Sequence, residues 1–210
     1  MNNGDKKIRV IVYIDGYNFY YGLRNAYKGK YKWLDFQALA QGFLQPDMVL
    51  VEVKYFTAVT KGDKETQSKQ GVYLKALSAN CDKLQIIYGR FLSKLKQCKE
   101  CGNKYKVYEE KKTDVNIACQ ILNDAHLDRY DCCYIVSGDS DLVPPVEIVK
   151  QSFPAKKVVI AHPPKRKSNE LCKVADGFFA ISKSKIQTSQ LPNIITNKRG
   201  SQLTKPKLWI

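Results

Sequence analysis

The chain has 210 residues, 44% hydrophobic and 26% charged, which is enough apolar material for one domain with a substantial core and excludes a mainly disordered protein. Its net charge of +15 is concentrated late: residues 150–210 hold 13 Lys and Arg against Glu170 and Asp176 (+11), and the other 149 residues hold 22 against 18 (+4). The polar opening MNNGDKK and the brevity of the first apolar run, VIVYI at 10–14, exclude a membrane helix or signal core at the start, so a cytoplasmic location without membrane partners is the default expectation.

IRVIVYI at 8–14 stops abruptly at Asp15-Gly16, the pattern of a buried parallel strand. Phe36, Leu39, Ala40 and Phe43 then share one face of a helix over 35–44. Further strands are read at 48–59, 84–92, 132–136 and 157–161, five in all, with helices over 64–79, 114–125 and 143–152. This alternation gives an α/β fold, a mainly parallel five-stranded sheet covered by helices on both faces. From about 187 the periodicity stops, and Pro192, Gly200, Pro206 and several Lys point to an extended basic arm. The basic C-terminal third suits a polyanion, because each neutralised phosphate releases counterions; the competing reading is a solvated surface that aids solubility.

Seven cysteines, an odd number without an export signal, read as reduced thiols. Cys81, Cys119, Cys132 and Cys133 lie in or beside apolar stretches and are expected in the core. Cys98 and Cys101, in CKECGNKY at 98–105, instead have the spacing of half a structural zinc site, set in a Lys-rich insertion at about 94–112. No second C-x-x-C completes it, so Cys81, Cys172, a histidine or a second subunit would have to. The alternative is a loop whose lysines touch nucleic acid.

In an open parallel sheet, ligands bind beyond the carboxyl ends of the strands, where the strand order reverses. DGYN (Asp15 to Asn18) ends the first strand and SGDSD (Ser137 to Asp141) the fourth, while Asp114 follows the candidate N-cap Thr113. Helix capping accounts for Asp15, Asp114 or Asp141 taken singly. It does not account for Asp139 and Asp141 together, since an N-terminus needs one capping side chain. Four converging carboxylates repel at neutral pH unless one is protonated or a divalent cation sits among them. Oxygen-only ligands point to Mg²⁺ or Mn²⁺, ions that activate water and stabilise a phosphodiester in transit.

VYIDGYNFYYGLR (12–24), EEKKTDVNIACQIL (109–122) and YIVSGDSDLVPPVEIVK (134–150), in this order, resemble the motifs of the NYN domain in its LabA-like branch, part of the PIN-like nuclease superfamily, over roughly residues 8–185. The resemblance implies a doubly wound sheet and a Mg²⁺- or Mn²⁺-dependent ribonuclease acting on RNA, in a domain spanning 1–187 with residues 188–210 as the arm. It implies Asp15, Asp114 and Asp139 as metal ligands, Asp141 orienting the metal shell or attacking water, and Asn18 and Ser137 helping to hold metal, water or phosphate. Lys111, Lys112 and PPKRK at 163–167 are candidates for phosphate contacts, and Tyr17, Tyr20 and Tyr21 for base stacking. One departure stands out: where family sequences often carry a second helix acid, six residues after Asp114, this chain has Gln120, with Asp124 four residues further on. Structural Zn²⁺ at Cys98 and Cys101 and a homo-oligomer are further expectations. Two rivals remain: an RNA-binding module that lost cleavage with Gln120, and an aromatic-ring hydroxylase, against which no G-x-G-x-x-G follows the first strand.

Overall fold

A computed structural model describes residues 7–61, 63–207 and 209. Residues 1–6 of the polar opening, and positions 208 and 210 of the expected arm, lie outside the described residues. In chain order the elements are β1 (Ile8–Asp15), α1 (Gly16–Tyr27), α2 (Phe36–Gln41), β2 (Met48–Thr57), α3 (Lys64–Asn80), β3 (Leu84–Tyr88), β4 (Arg90–Gln97), β5 (Lys104–Lys111) and α4 (Thr113–His126). There follow β6 (Cys132–Val136), a 3₁₀ turn (Ser140–Leu142), α5 (Val143–Ser152), β7 (Lys157–His162), α6 (Asn169–Val174), β8 (Gly177–Ala180), α7 (Lys183–Thr188), β9 (Ile194–Thr196) and β10 (Gln202–Thr204).

Six strands form one parallel sheet in the order β3-β2-β1-β6-β7-β8. The α/β doubly wound expectation holds, with six strands in place of five. The additional strand, β8, alternates half-buried and exposed residues, and an edge strand of that kind lacks the continuous apolar run by which the other parallel strands are recognised. The expected strand at 84–92 is two elements. The chain leaves the sheet at Gly89, whose N–H donates to the Thr57 carbonyl at 2.8 Å, and continues as an antiparallel hairpin of β4 and β5 paired from Arg90↔Lys111 to Gln97↔Lys104. That hairpin is the Lys-rich insertion, and it does not pair with the main sheet.

Side chains along β1 alternate between two cores, as a strand with both faces covered requires. Val10, Val12 and Ile14 join Phe19, Leu23, Phe36 and Leu77 on the α1–α3 side. Ile11 and Tyr13 join Ile117, Ile121, Val146 and Val149 on the side of α4 and α5. On α4, Ile117 and Ile121 point inward and Cys119, expected in the core, is exposed. Cys81, Cys132 and Cys133 are buried as expected.

Where an extended arm is expected, the chain turns back onto the domain. Leu191 N–H donates to the Trp33 carbonyl at 2.9 Å, the Trp33 indole donates to the Pro192 carbonyl at 2.8 Å, and β9 and β10 pair antiparallel. Leu191 and Ile195 are buried, and the Trp209 ring meets Trp33 and Tyr73 edge-on. Sparse apolar residues among Lys and Pro hide this packing from a periodicity reading, because each contact is made singly.

Candidate metal centre

The strand order reverses between β1 and β6, so the crevice of this sheet opens at the carboxyl ends of those two strands. Asp15 is the last residue of β1. It continues the series of Ile11 and Tyr13 and therefore leaves the sheet on the α4 side, where Asp114 stands in the first helical turn. Asp139 follows β6 by three positions and caps the 3₁₀ turn. One carboxylate oxygen from each of Asp15, Asp114 and Asp139 lies within 4.8 Å of the other two.

The loops that present these acids are tied to one another. Asp15 accepts from the Asn18 N–H at 2.9 Å, capping α1, and from the Ser137 hydroxyl at 3.0 Å. Asn18 Oδ1 in turn accepts from the Gly138 N–H at 3.1 Å, and the Asp139 N–H donates to Ser137 Oγ at 3.1 Å. Ser137 is fully buried. At Gly138 any Cβ would fall on the backbone carbonyl of Arg166, so the absence of a side chain lets the PPKRK loop close directly over the acidic turn. The arrangement brings the basic run at 163–167 to the rim of the site.

Asp141 is exposed and lies outside the trio; its N–H donates to Asp139 Oδ1 at 3.1 Å, and its charge reaches Asp114. Lys111 and Lys112 are exposed at the turn into α4, Lys112 with φ 79°. Lys112, not Thr113, occupies the N-cap position. Thr113 is instead held by Glu110, whose carboxylate accepts from its N–H at 3.3 Å and from its hydroxyl. Glu110 is a site neighbour that sequence reasoning misses, because nothing in EEKKTD tells a strand-end acid near the cluster from a solvated one.

Gln120 and Asp124 are elsewhere. Asp124 is ten residues beyond Asp114, about 15 Å along the helix axis. There its carboxylate is fully buried and accepts from Lys54 Nζ at 2.6 Å, the Tyr13 hydroxyl at 2.7 Å and Arg129 at 2.9 Å. Gln120 accepts from the same Lys54 at 2.6 Å. The position of the missing acid is thus engaged by a buried ammonium.

Burial, followed in effect by the charges of Asp114 and Asp139, pushes the Asp15 carboxyl up to about 6, against the lowering effect of its bonds from Asn18 and Ser137. Asp114 is raised as well, by burial first and then by Asp139, Glu110 and Asp141. Three converging carboxylate oxygens, two of them on acids that burial and neighbouring charge hold toward the neutral form, are the donor set a hard divalent cation fits. Because ligation needs them ionised, cation binding displaces a proton from Asp15 at acid pH. Mn²⁺ affinity, measured by calorimetry from pH 8 to pH 5, is expected to be nearly flat above pH 6 and to weaken roughly tenfold per unit below it. The sign for stability is opposite. The folded protein holds the Asp15 proton more tightly than the unfolded chain, so the cation-free protein loses stability as pH rises through the ordinary carboxyl range to about 6.

Cys98 and Cys101 lie in the turn of the β4–β5 hairpin, where the Cys98 N–H donates to Asn103 O at 2.9 Å and Cys98 O accepts from Gly102 N at 3.0 Å. Backbone amides of Cys101 and Glu100 hold the Cys98 thiol below its ordinary pKa. Among the described residues no third His, Cys, Asp or Glu joins them, which leaves the pair two ligands short of a structural zinc site.

The profile of the NYN domain matches residues 9–182. A curated relative, 6-hydroxy-3-succinoylpyridine 3-monooxygenase HspA of Pseudomonas putida, is 29% identical over 96% of this chain and 75% of its own length. A crystal structure of a protein of unknown function from Vibrio parahaemolyticus superposes with a TM-score of 0.60, at 22% identity, over 87% of this chain and 98% of that one. No helix among the described residues is long and apolar enough to cross a membrane.

Proposed function

The chain belongs to the NYN domain family, within the PIN-like nucleases, and on that premise we propose that it is a metal-dependent ribonuclease cutting RNA phosphodiester bonds at the carboxyl edge of the sheet. The observation that carries the reading is the convergence of Asp15, Asp114 and Asp139 at the strand-order reversal. Asp15, Asp114 and Asp139 would hold Mg²⁺ or Mn²⁺, which when bound would supply Lewis acidity toward the phosphodiester and lower the pKa of a water. The chain's own residues do the rest. Asn18 and Ser137 position the acids through the bonds that join the two loops, and Ser137, being enclosed, works through Asp15 and Asp139 rather than on substrate. Asp141, exposed beside Asp139, orients the water that attacks. Lys111, Lys112 and the rim of PPKRK draw in the polyanion and hold its backbone.

The test is cleavage of labelled single-stranded RNA with Mn²⁺, with Mg²⁺ and with EDTA. Cutting in either metal and none in EDTA is the expected result; binding without cutting in every condition would leave an RNA-binding module. A second reading is favoured by one observation, the name of the Pseudomonas relative, which acts as a monooxygenase on a substituted pyridine. It predicts a visible-absorbing cofactor copurifying with the protein, or pyridine-dependent consumption of oxygen.

A further inference from the structure

Beside the acidic trio, on the α1–α3 side of the sheet, lies a cavity of about 660 Å³, within the size range of small-molecule sites. Gly16 and Tyr17, the residues directly after Asp15, line it, as do Phe91 and Tyr108 of the hairpin. Tyr17 and Phe91 meet edge to face at 5.7 Å. Behind them Phe36 and Tyr55 stack at 4.6 Å, and the Tyr55 hydroxyl senses the Asp15 charge, which places the cavity in electrostatic reach of the metal centre. Gly16 is small because it must be: a Cβ there would come within 2.6 Å of the Phe56 carbonyl and 2.8 Å of the Tyr55 ring.

The lining is also cationic, with Arg24, Lys32, Lys61 and Lys69. Burial, and then the charges of Arg24 and Lys69, lower the Lys32 pKa. Lys69 pairs with Glu65 at 2.6 Å, and among the described residues no carboxylate pairs with Arg24 or Lys32. Four cations, one of them paired with Glu65, thus line an aromatic cavity.

We propose that this cavity binds one nucleotide, its base against the rings of Tyr17 and Phe91 and its phosphate on Arg24 and Lys32. Every base offers a face to an aromatic ring, and a guanidinium beside an ammonium matches a phosphate dianion better than a single carboxylate. The choice of a nucleotide over another aromatic anion rests on the ribonuclease reading. The cavity would then hold a nucleotide next to the bond being cut and set which base is accepted there.

The experiment is calorimetric titration of the full chain with each of the four ribonucleoside 5′-monophosphates in EDTA, so that the acidic trio takes no part through a metal. At least one nucleotide is expected to bind saturably. Lys32→Gln and Phe91→Ala, each checked for an unchanged fold by circular dichroism, are expected to weaken it about tenfold or more. Absence of saturable binding by all four, or equal affinity in both variants, would overturn the proposal. So would tighter binding of pyridine-3-carboxylate than of any nucleotide, which would give the cavity to an aromatic acid. Nucleotide binding without metal-dependent RNA cleavage would retain the cavity and refute the ribonuclease; cleavage without nucleotide binding would do the reverse.

Discussion

Asp139→Asn is expected to lower metal-dependent cleavage at least about a hundredfold, on the scale of losing one preorganised electrostatic contact at a reacting centre, while the protein without cation melts no lower than the parent. The two halves of this result have one cause. Asp139 adds negative charge beside Asp15 and Asp114 and raises both of their pKa values, so removing it relieves repulsion in the cation-free state and removes a ligand from the occupied one. Asparagine keeps an oxygen for the Asp141 N–H, now bonded at 3.1 Å, so the turn retains its cap. Differential scanning fluorimetry with and without Mn²⁺, read beside the RNA assay, checks both. A variant that melts several degrees below the parent in EDTA would mean that Asp139 acts on the fold and not on a cation.

Asp124→Asn should be the most damaging substitution for stability, costing about 3–5 kcal/mol. Lys54 is 1% exposed and Asp124 0%. Asparagine removes the negative charge opposite a buried ammonium that keeps only Gln120 and, at 3.8 Å, Glu52, and its one remaining oxygen cannot serve Lys54, Tyr13 and Arg129, which now share two carboxylate oxygens. Lys54→Met alone leaves Asp124 with Tyr13 and Arg129 and should cost less. The pair Lys54→Met with Asp124→Leu should recover much of the loss, because a buried ion pair replaced by apolar groups of similar volume is often close to neutral. Urea unfolding of the three variants checks the order. If Asp124→Asn unfolds with the parent midpoint, the pairing does not exist as drawn.

The contrast between Asp114 and Asp124 shows what the sequence allows one to read. Asp114, Ile117, Ile121 and Asp124 fall on one face of α4 by spacing alone, so their inward direction is legible. Lys54, the one cation in the apolar run VLVEVKYFTAV, also announces a buried charge in need of a partner. That it takes Asp124 depends on the register of β2 against β1, where Lys54 stands opposite Tyr13, and register between distant segments leaves no local mark. Two of the three acids are legible because they stand beside a Gly where a strand ends, Asp15 before Gly16 and Asp139 after Gly138, and Asp114 is legible as a first-turn acid of α4. The hairpin is not: its apolar residues, Leu95, Tyr105 and Tyr108, are mostly exposed and cover no core of their own. Nor is the aromatic cavity, whose lining comes from α1, α2, β2, α3, the hairpin, Trp209 and the segments between them, places with no common period.

The two charge clusters of α4 divide the helix into a closed end and an open one. At the Asp124 end, cations and anions answer each other within the chain; at the Asp114 end three carboxylates converge. Cohesion of the helix with the sheet therefore draws on the former and does not wait for a metal. A chelator should empty this protein without dismantling it, unlike a small zinc domain in which ligation and folding are one event. The emptied form is then a rechargeable reagent, into which one divalent ion after another can be loaded and its effect compared on the same scaffold.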